Sequence, residues 1–300
     1  MSEPAEGFRS GFVGIVGRPN VGKSTILNHY LGEKIAIVSP RPQTTRHRIL
    51  GVLTREQAQV MFLDTPGFHR PQHALGRFMV EVAKAVTEEA DVVVMVIDGR
   101  QGLTADDQRI CSRLRQAKRP CLAAINKVDI AKKPRLLPII DACAKTQVFA
   151  ECIPVSAKTG EQMDILLERI IAHLPRGPRW YADEDRRTDQ TTQQLIGEFI
   201  REQVLMATRQ EVPYSVAVLV DAVEEKPGLT SIQATILVDR GGQKAIVIGR
   251  GGQMLKQIGQ EARKQLERLL GRKVYLGLWV KVSEDWRSDQ RILRQLGYLT

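Results

Sequence analysis

The sequence predicts an α/β chain with two domains, a larger one on a mostly parallel sheet and a smaller α+β one. A length of 300 residues suits two domains. Short apolar runs alternate with amphipathic helices as far as about Pro175, which is typical of a parallel sheet covered by helices on both faces. The composition then becomes polar and rich in helix breakers. We predict an N-terminal tail, a first domain, a linker and a second domain with the limits 1–10, 11–175, 176–192 and 193–300.

The elements of the first domain follow from its apolar pattern. Five apolar runs predict buried strands: Phe12–Val16, Val60–Leu63, Val92–Ile97, Cys121–Ile125 and Cys152–Val155. A further strand around Ile49–Leu53 is expected at the edge of the sheet or antiparallel to its neighbour. Amphipathic spacing predicts five helices: Thr25–Leu31, Leu75–Glu89, Ala105–Gln116, Leu136–Cys143 and Asp164–His173.

Composition and charge narrow the class of protein. The four cysteines show no C-x-x-C spacing, so neither a zinc site nor a disulfide framework is predicted, and a cytoplasmic location is expected. The first ten residues are polar, unlike a signal peptide, and the longest apolar run is too short to span a bilayer. The net charge of +10 indicates an anionic partner, either nucleic acid or an anionic membrane surface.

The segment Gly17–Ser24 fits the pattern G-x-x-x-x-G-K-[ST]. It lies between a predicted strand and a predicted helix, where loop N–H groups and the helix N-terminus attract phosphate. In this pattern Lys23 reaches the β- and γ-phosphates, and the Ser24 hydroxyl ligates Mg²⁺. We predict a nucleoside-triphosphate site formed by Gly17, Arg18, Pro19, Asn20, Val21, Gly22, Lys23, Ser24 and Thr25.

A second nucleotide motif, Asp64-Thr65-Pro66-Gly67, follows the second buried strand. Asp64 is suited to hold Mg²⁺ through a water molecule. The N–H of Gly67 can approach a γ-phosphate closely because glycine has no Cβ. The sequence Asp64–Gly67 is therefore predicted to face the phosphates.

A third motif, Asn126-Lys127-Val128-Asp129, ends a predicted strand, and ligands bind at the carboxyl ends of strands in such sheets. A carboxylate at Asp129 can accept hydrogen bonds from the ring N–H and the exocyclic amine of guanine. Adenine would leave it unpaired, which can discriminate by roughly 10⁴. Asn126 is predicted to brace the loops and Lys127 to cover the base. Guanine O6 is expected to meet N–H groups of the segment formed by Ser156, Ala157 and Lys158.

A threonine between the first helix and Asp64 is predicted to sense the γ-phosphate. Thr44 and Thr45 both lie in the segment Gln43–His47, and either hydroxyl can join Mg²⁺ when a γ-phosphate orders the loop. We favour Thr45 because it adjoins an arginine. The predicted Mg²⁺ ligands are Ser24, Thr45 and, through a water molecule, Asp64.

Together these segments resemble the translation-factor-related GTPases that carry a T-T-R switch, from Gly11 to about Lys158. The resemblance implies a P-loop GTPase that hydrolyses GTP to GDP with Mg²⁺, with catalytic positions at Lys23, Thr45, Gly67 and Asn20. Phe68 stands where Ras-like proteins have the glutamine that orients the attacking water, so slow intrinsic turnover is expected. In relatives with this substitution, the asparagine matching Asn20 can hold K⁺ near the phosphates.

The second domain is predicted to have the element order α-β-β-α-α-β around a G-x-x-G loop, Gly249–Gly252. The predicted helices and strands are Leu195–Ala207, Tyr214–Val223, Ser231–Asp239, Gln253–Leu270, Val274–Val282 and Glu284–Leu296. This order is that of the type II KH domain, whose loop clamps about four single-stranded nucleotides.

Charge near this loop supports an RNA site. Residues 240–281 contain ten Lys or Arg and only two Glu, so they would attract phosphates through counterion release. A solvated helix face is the alternative for some of these residues, and core packing is the alternative for Ile248, Leu255 and Ile258. The predicted RNA-binding residues are Ile248, Gly249, Arg250, Gly251, Gly252, Leu255, Lys256 and Arg263.

A GTPase domain joined to a type II KH domain resembles the bacterial Era family over nearly the whole chain, including Val212–Ser215 and Trp279–Val282. The resemblance implies a GTP-hydrolysing switch that binds the 3′ region of small-subunit (16S) rRNA and assists maturation of the 30S ribosomal subunit. We expect the protein to be a monomer. Peripheral association with the cell membrane is also described for the family.

Two other functions stay open. A membrane-surface signalling GTPase would place its basic face on anionic lipid, although no lipidation motif or separate basic amphipathic helix is present in the sequence. A constitutive RNA-binding module would use the nucleotide only to stabilise its fold, and its RNA binding would not depend on the nucleotide. A small-molecule kinase is the least favoured, because the Asn126–Asp129 motif indicates guanine.

Overall fold

The structure, a computed structural model, describes residues 7–41, 43–68, 73–183, 186–209 and 211–298. Residues 1–6 of the predicted tail lie outside the described residues. The chain forms two compact units. The first contains Met1–Ala36, Thr45–Arg70 and Met79–Asp189, and the second contains Ile37–Thr44, Pro71–Phe78 and Gln190–Thr300. Residues 176–189 of the predicted linker therefore group with the first unit.

The first unit is built on a sheet of six strands, each lying on or next to a predicted run. They are β1 Arg9–Gly17, β2 Ile49–Thr54, β3 Ala58–Asp64, β4 Val92–Asp98, β5 Cys121–Asn126 and β6 Glu151–Val155. Their order is β2-β3-β1-β4-β5-β6, and every neighbouring pair is parallel except β2 and β3. The mostly parallel sheet with an antiparallel edge strand is confirmed.

Helices cover both faces of this sheet. They are α1 Lys23–Leu31, α2 Ala74–Glu89, α3 Ala105–Ala117, α4 Leu136–Lys145 and α5 Met163–His173. Alternate residues of β4, such as Met95 and Ile97, pack in one cluster with Ile110 of α3 and Ile139 of α4. On the other face, Tyr30 of α1 stacks on a β3 ring and its hydroxyl donates to a carbonyl of α5. The loops at the carboxyl ends of the strands are thereby left to bind ligands.

The second unit contains the predicted α-β-β-α-α-β order. Its elements are α6 Thr192–Ala207, β7 Ala217–Lys226, β8 Leu229–Val238, α7 Gly241–Ile248, α8 Gln253–Leu270, β9 Lys273–Val282 and α9 Gln290–Gln295. The sheet order is β7-β8-β9, with β7 antiparallel and β9 parallel to β8. Inward residues of α8 recur every four positions, at Ile258, Ala262 and Leu266, and join α6 and the sheet in one core.

Two predicted boundaries in the second unit were wrong. Strand β7 begins at Ala217 and not at Tyr214, because Pro213 lies in a 3₁₀ turn before it. Helix α9 begins at Gln290 and not at Glu284. The Asp289 carboxylate caps it by accepting from two backbone N–H groups of its first turn, the N-cap role that aspartate favours.

Within the described residues, none of the helices has the length and apolar character that a bilayer crossing requires.

Candidate nucleotide-binding and RNA-binding sites

The phosphate loop connects β1 to α1 at the carboxyl edge of the sheet. Gly22 has a φ of +105°, and a Cβ there would lie 2.2 Å from the Asn126 Nδ2, so no other residue fits. The same Nδ2 donates to the Val21 carbonyl over 2.8 Å. The Asn126 Oδ1 accepts from the Ala157 N–H over 3.0 Å. Asn126 therefore ties the phosphate loop to the segment after β6, as its predicted bracing role requires.

Lys23 lies at the start of α1 and is buried. Its Nζ donates to the carbonyls of Arg18, at 2.9 Å, and Gly17, at 3.3 Å. Burial lowers the pKa of the Lys23 ammonium to about 8, although the charge of Asp64 opposes this shift. An anion bound at the loop would stabilise the charged ammonium. The geometry suits the phosphate contact predicted for Lys23.

The three predicted Mg²⁺ ligands lie together. The Ser24 hydroxyl donates to the Asp64 Oδ2 over 2.6 Å and lies 3.0 Å from the Thr45 Oγ1, which is 3.3 Å from the same carboxylate oxygen. The other carboxylate oxygen, Asp64 Oδ1, is buried and has no hydrogen-bond partner among the described residues. Oxygen donors of this kind suit Mg²⁺. The residues therefore fit a divalent cation.

Thr44 is placed differently from Thr45. Its hydroxyl donates to the Arg41 carbonyl over 2.7 Å and lies 2.8 Å from the Ser39 Oγ. The structure thus brings the hydroxyl of Thr45, and not that of Thr44, to the candidate metal site.

The segment after β3 contacts the phosphate loop. A Cβ at Gly67 would lie 2.6 Å from the Pro19 nitrogen, so glycine permits this close approach. The Thr65 hydroxyl donates to the Ile15 carbonyl over 2.9 Å, and the Phe68 N–H donates to the Gly17 carbonyl over 3.3 Å. Both predicted motifs therefore meet at the same edge of the sheet.

Phe68 offers no polar group for positioning water. Its ring packs against the core beside α3, with the Arg113 guanidinium 5.4 Å from the ring centroid. It lines a cavity of about 350 Å³ together with Ile110 and Leu114. This placement agrees with the expectation of slow intrinsic hydrolysis.

The guanine motif lies at the carboxyl end of β5. The Ser156 hydroxyl donates to the Asp129 carboxylate over 2.8 Å, so the two predicted segments adjoin. The Lys127 Nζ donates to the Asn20 carbonyl over 2.5 Å and to the Asp98 carboxylate over 2.8 Å. The stem of Lys127 is thus fixed beside the phosphate loop.

Asp98 is a site residue that the sequence reasoning missed. Burial alone would raise the pKa of its carboxyl group, but hydrogen bonds from Arg100 and Lys127 outweigh it and hold the pKa well below the ordinary value. Asp98 directly follows the buried run Val92–Ile97. The signal that identified Asp64, an aspartate at the end of a buried strand, would also have identified Asp98.

Asp107 was missed as well. Its carboxylate accepts from the Arg18 Nε over 2.8 Å, and from the backbone N–H and the hydroxyl of Thr104. Thr104 and Asp107 form the capping box that starts α3. The side chain of Arg18, predicted to bind nucleotide, is therefore anchored to this helix.

The G-x-x-G loop joins α7 to α8 as predicted. Gly249 ends α7, and Arg250 and Gly251 are exposed. Lys256 and Arg263 are exposed on α8, two turns or about 10 Å apart along its axis. A row of cations therefore follows the loop.

Two alternatives to RNA binding, core packing of the apolar residues and a solvated helix face for the charged ones, each hold for some of these residues. Ile248 and Leu255 are partly buried and pack against the core, whereas Ile258 is a buried core residue and does not line a groove. Lys264 pairs with Glu261 over 2.7 Å on the exposed helix face.

The segment before Thr45 belongs to the second unit. Ile37 is buried in its core, and the Val38 N–H donates to the Glu202 carboxylate over 2.8 Å. The buried Arg201 donates to the Thr44 carbonyl and is held by the carboxylate of Glu198 at 2.5 Å and 2.8 Å. The peptide unit preceding Thr45 is therefore fixed by a buried ion pair on α6, a role that no sequence pattern indicated.

These features define a P-loop GTPase with a C-terminal KH domain. The chain matches the family described as "50S ribosome-binding GTPase" over residues 12–127 and the family "KH domain" over residues 211–287. One similar solved structure is a crystal structure of a variant of Aquifex aeolicus Era bound to GDP·AlF4⁻, with 43% sequence identity and a TM-score of 0.94. The match covers 98% of this chain and 100% of the Aquifex chain.

A second solved structure, Era in complex with MgGDPNP and nucleotides 1506–1542 of 16S ribosomal RNA, has the same identity of 43%, the same coverage of 98% and 100%, and a TM-score of 0.94. This chain belongs to the Era family. It is a GTPase, which hydrolyses GTP to GDP and phosphate, and the predicted fold class and family are confirmed.

Replacing Asp98 by asparagine should weaken binding of GDP and GTP about tenfold. The Lys127 ammonium would lose a charge-assisted hydrogen bond, which contributes roughly 1.5–3 kcal/mol. Titration with a fluorescent guanine nucleotide measures the effect. Asp106→Asn is the matched control, because it breaks only an exposed ion pair with Arg109 on α3. Unchanged affinity in Asp98→Asn would contradict the assigned role.

Proposed function

We propose that this protein is a GTP-dependent switch that binds the 3′ region of 16S rRNA and assists maturation of the 30S subunit. We propose further that it acts as a cytoplasmic monomer. The observation that carries the switch is the position of Thr45. Its hydroxyl lies at the candidate Mg²⁺ site, while the residue before it is held by Arg201 of the unit that contains the KH domain.

The RNA assignment is supported by the G-x-x-G loop and by the family. The exposed cations Arg250, Lys256 and Arg263 can neutralise phosphates, and the glycines leave room for a nucleic-acid backbone. The related Era was crystallised with a fragment of 16S rRNA. The exposed cations and the related structure therefore both favour RNA as the ligand.

Coupling between the two ligands follows from the segment 37–44. If GTP and Mg²⁺ hold Thr45, they also restrict the position of the adjoining peptide unit, whose carbonyl accepts from Arg201. Binding of nucleotide would in this way affect the conformation of the second unit. The effect on binding must be reciprocal, so RNA must in turn shift the affinity for GTP.

Mg²⁺ is the proposed cofactor, since Ser24, Thr45 and Asp64 offer it oxygen ligands and the related Era was crystallised with MgGDPNP. When bound, it would neutralise charge on the phosphates. K⁺ is the proposed second cation, held by Asn20. This residue has a φ of +62° within the phosphate loop, and Lys127 donates to its carbonyl.

Thr45→Ala should remove the dependence of RNA binding on GTP, because the alanine cannot ligate Mg²⁺. Affinity for an RNA fragment from the 3′ end of 16S rRNA would be measured with GDP and with a non-hydrolysable GTP analogue. Thr44→Ala is the matched control and should keep the difference. RNA affinity that is nucleotide-independent already in the wild-type protein would instead favour a constitutive RNA-binding module.

GTP hydrolysis should be at least tenfold faster in K⁺ than in Na⁺, because a monovalent cation at Asn20 would take the part of a charge-stabilising arginine, which contributes a factor of 10³ or more elsewhere. Phosphate release is measured at equal ionic strength in the two salts. Asn20→Ala should remove the difference between them. Equal rates in both salts for the wild-type protein would exclude the K⁺ site.

Gly252→Asp should abolish crosslinking to the 3′ region of small-subunit rRNA in cells, because a carboxylate in the loop repels phosphate. Gly228→Asp is the control. Both glycines have open space and a similar positive φ, +79° and +73°, but Gly228 lies between β7 and β8. Wild-type crosslinks concentrated outside small-subunit rRNA would overturn the RNA assignment.

Peripheral association with the cytoplasmic face of the cell membrane is the second candidate, since the exposed cations of α8 also suit anionic headgroups. Flotation with anionic vesicles in the absence of RNA tests it, and protein that stays at the bottom of the gradient excludes it.

A further inference from the structure

The three-stranded sheet of the second unit has one face that its own helices do not cover. Side chains alternate along β9, so Val274 and Val280 enter the core shared with α6 and α8. Tyr275 and Trp279 point the other way, and they are 56% and 55% exposed. Four residues of strand separate the two rings by roughly 13 Å. Two large aromatic side chains are therefore presented in a row on an open sheet face.

An amide oxygen without a hydrogen bond lies beside these rings. Gln233 of the central strand β8 is in register with Gly277 of β9. A Cβ on Gly277 would lie 2.0 Å from the Gln233 Oε1 and 3.2 Å from the Trp279 ring. Glycine thus leaves space in which the amide and the indole ring adjoin. The Gln233 Oε1 is shielded from solvent and accepts no hydrogen bond within the described residues. A ligand on the open face can donate to this oxygen once the flexible Gln233 side chain turns outward.

Charge on this face is arranged by strand. Lys273 and Lys281 are exposed at the two ends of the edge strand β9, in the same alternation as the two rings. The far strand β7 is acidic: the Asp221 carboxylate accepts from a Thr235 hydroxyl, and Glu224 pairs with its neighbour Lys226. A polyanion would therefore follow the β9 edge, and its flat groups would lie inward over the rings and Gln233.

We propose that this face, formed by Tyr275, Trp279, Gln233, Lys273 and Lys281, is a second binding site for single-stranded RNA. Bases stack on the two rings, the lysines contact phosphates, and the Gln233 amide bonds the edge of a base. Lysines at both ends of the row of rings suit a stacked polyanion better than an apolar protein interface. The site takes the ligand class of the proposed function but lies on the sheet face opposite α8, away from the G-x-x-G loop.

Oligoadenylates of two lengths distinguish binding at this site from binding at the G-x-x-G loop. A tetranucleotide fills the loop, which clamps about four nucleotides, whereas a dodecanucleotide can also reach around the β9 edge. Trp279→Ala should bind the fluorescein-labelled dodecanucleotide about tenfold more weakly than the wild-type protein, since a lost base–aromatic stack costs that much or more. It should bind the tetranucleotide normally. Trp279→Phe should retain most of the affinity for both.

Trp180→Ala is the matched control, because Trp180 is 62% exposed but lies in the first unit. It should bind both oligonucleotides as the wild-type protein does. Intrinsic fluorescence gives a second readout that does not require truncating Trp279. The Trp180→Phe variant keeps two tryptophans, the exposed Trp279 and the buried Trp286. Stacking of the dodecanucleotide should quench the emission of Trp279.

Four outcomes overturn the second site. They are wild-type affinity of Trp279→Ala for the dodecanucleotide, an equal loss for both lengths, absence of quenching, and a dimer in sedimentation that Trp279→Ala dissolves. The last outcome would assign the face to a second copy of the chain. Failure of the proposed function looks different, since the wild-type protein would then bind neither oligonucleotide and Gly252→Asp would change nothing.

Discussion

The buried charge of Lys23 is the interaction on which the nucleotide site depends. Removing an ammonium from water is costly, and the lowered pKa of Lys23 records that cost. The opposing carboxylate, Asp64, is equally buried and keeps one oxygen unpaired among the described residues. Loop carbonyls and two hydroxyls compensate this pair only in part. The incomplete pairing of these charges suits a triphosphate and a divalent cation, whereas selection of the base is left to other residues, such as Asp129.

A second buried charge fixes the backbone immediately before Thr45. Arg201 is almost fully buried, and Glu198 alone does not use all of its donors, so it also donates to the Thr44 carbonyl. Breaking such a contact would leave a buried guanidinium donor unpaired, which is strongly unfavourable. The Thr44 carbonyl, next to Thr45 in the chain, is therefore held by a contact that is costly to break.

The sequence predicted the fold and the nucleotide motifs well, because both depend on local patterns. Apolar runs identified every strand of the first unit, and the order of motifs placed Lys23, Asp64 and Asn126 at one edge of the sheet. Asp98 and Asp107 were missed although each has a local signal. Arg201 could not be predicted, because an arginine within an amphipathic helix is normally solvated and its burial depends on a segment more than 150 residues away.

The exposed face of the three-stranded sheet also could not be predicted from local sequence patterns. Alternation along β9 was visible in the sequence, but alternation does not say which face the helices cover. Tyr275 and Trp279 would be core residues if α6 and α8 packed on them. The structure instead places Val274 and Val280 inward, and the small residue Gly277 lies between the rings. Which side of β9 becomes the core is therefore decided by how α6 and α8 pack on the sheet, a long-range arrangement that strand alternation alone does not specify.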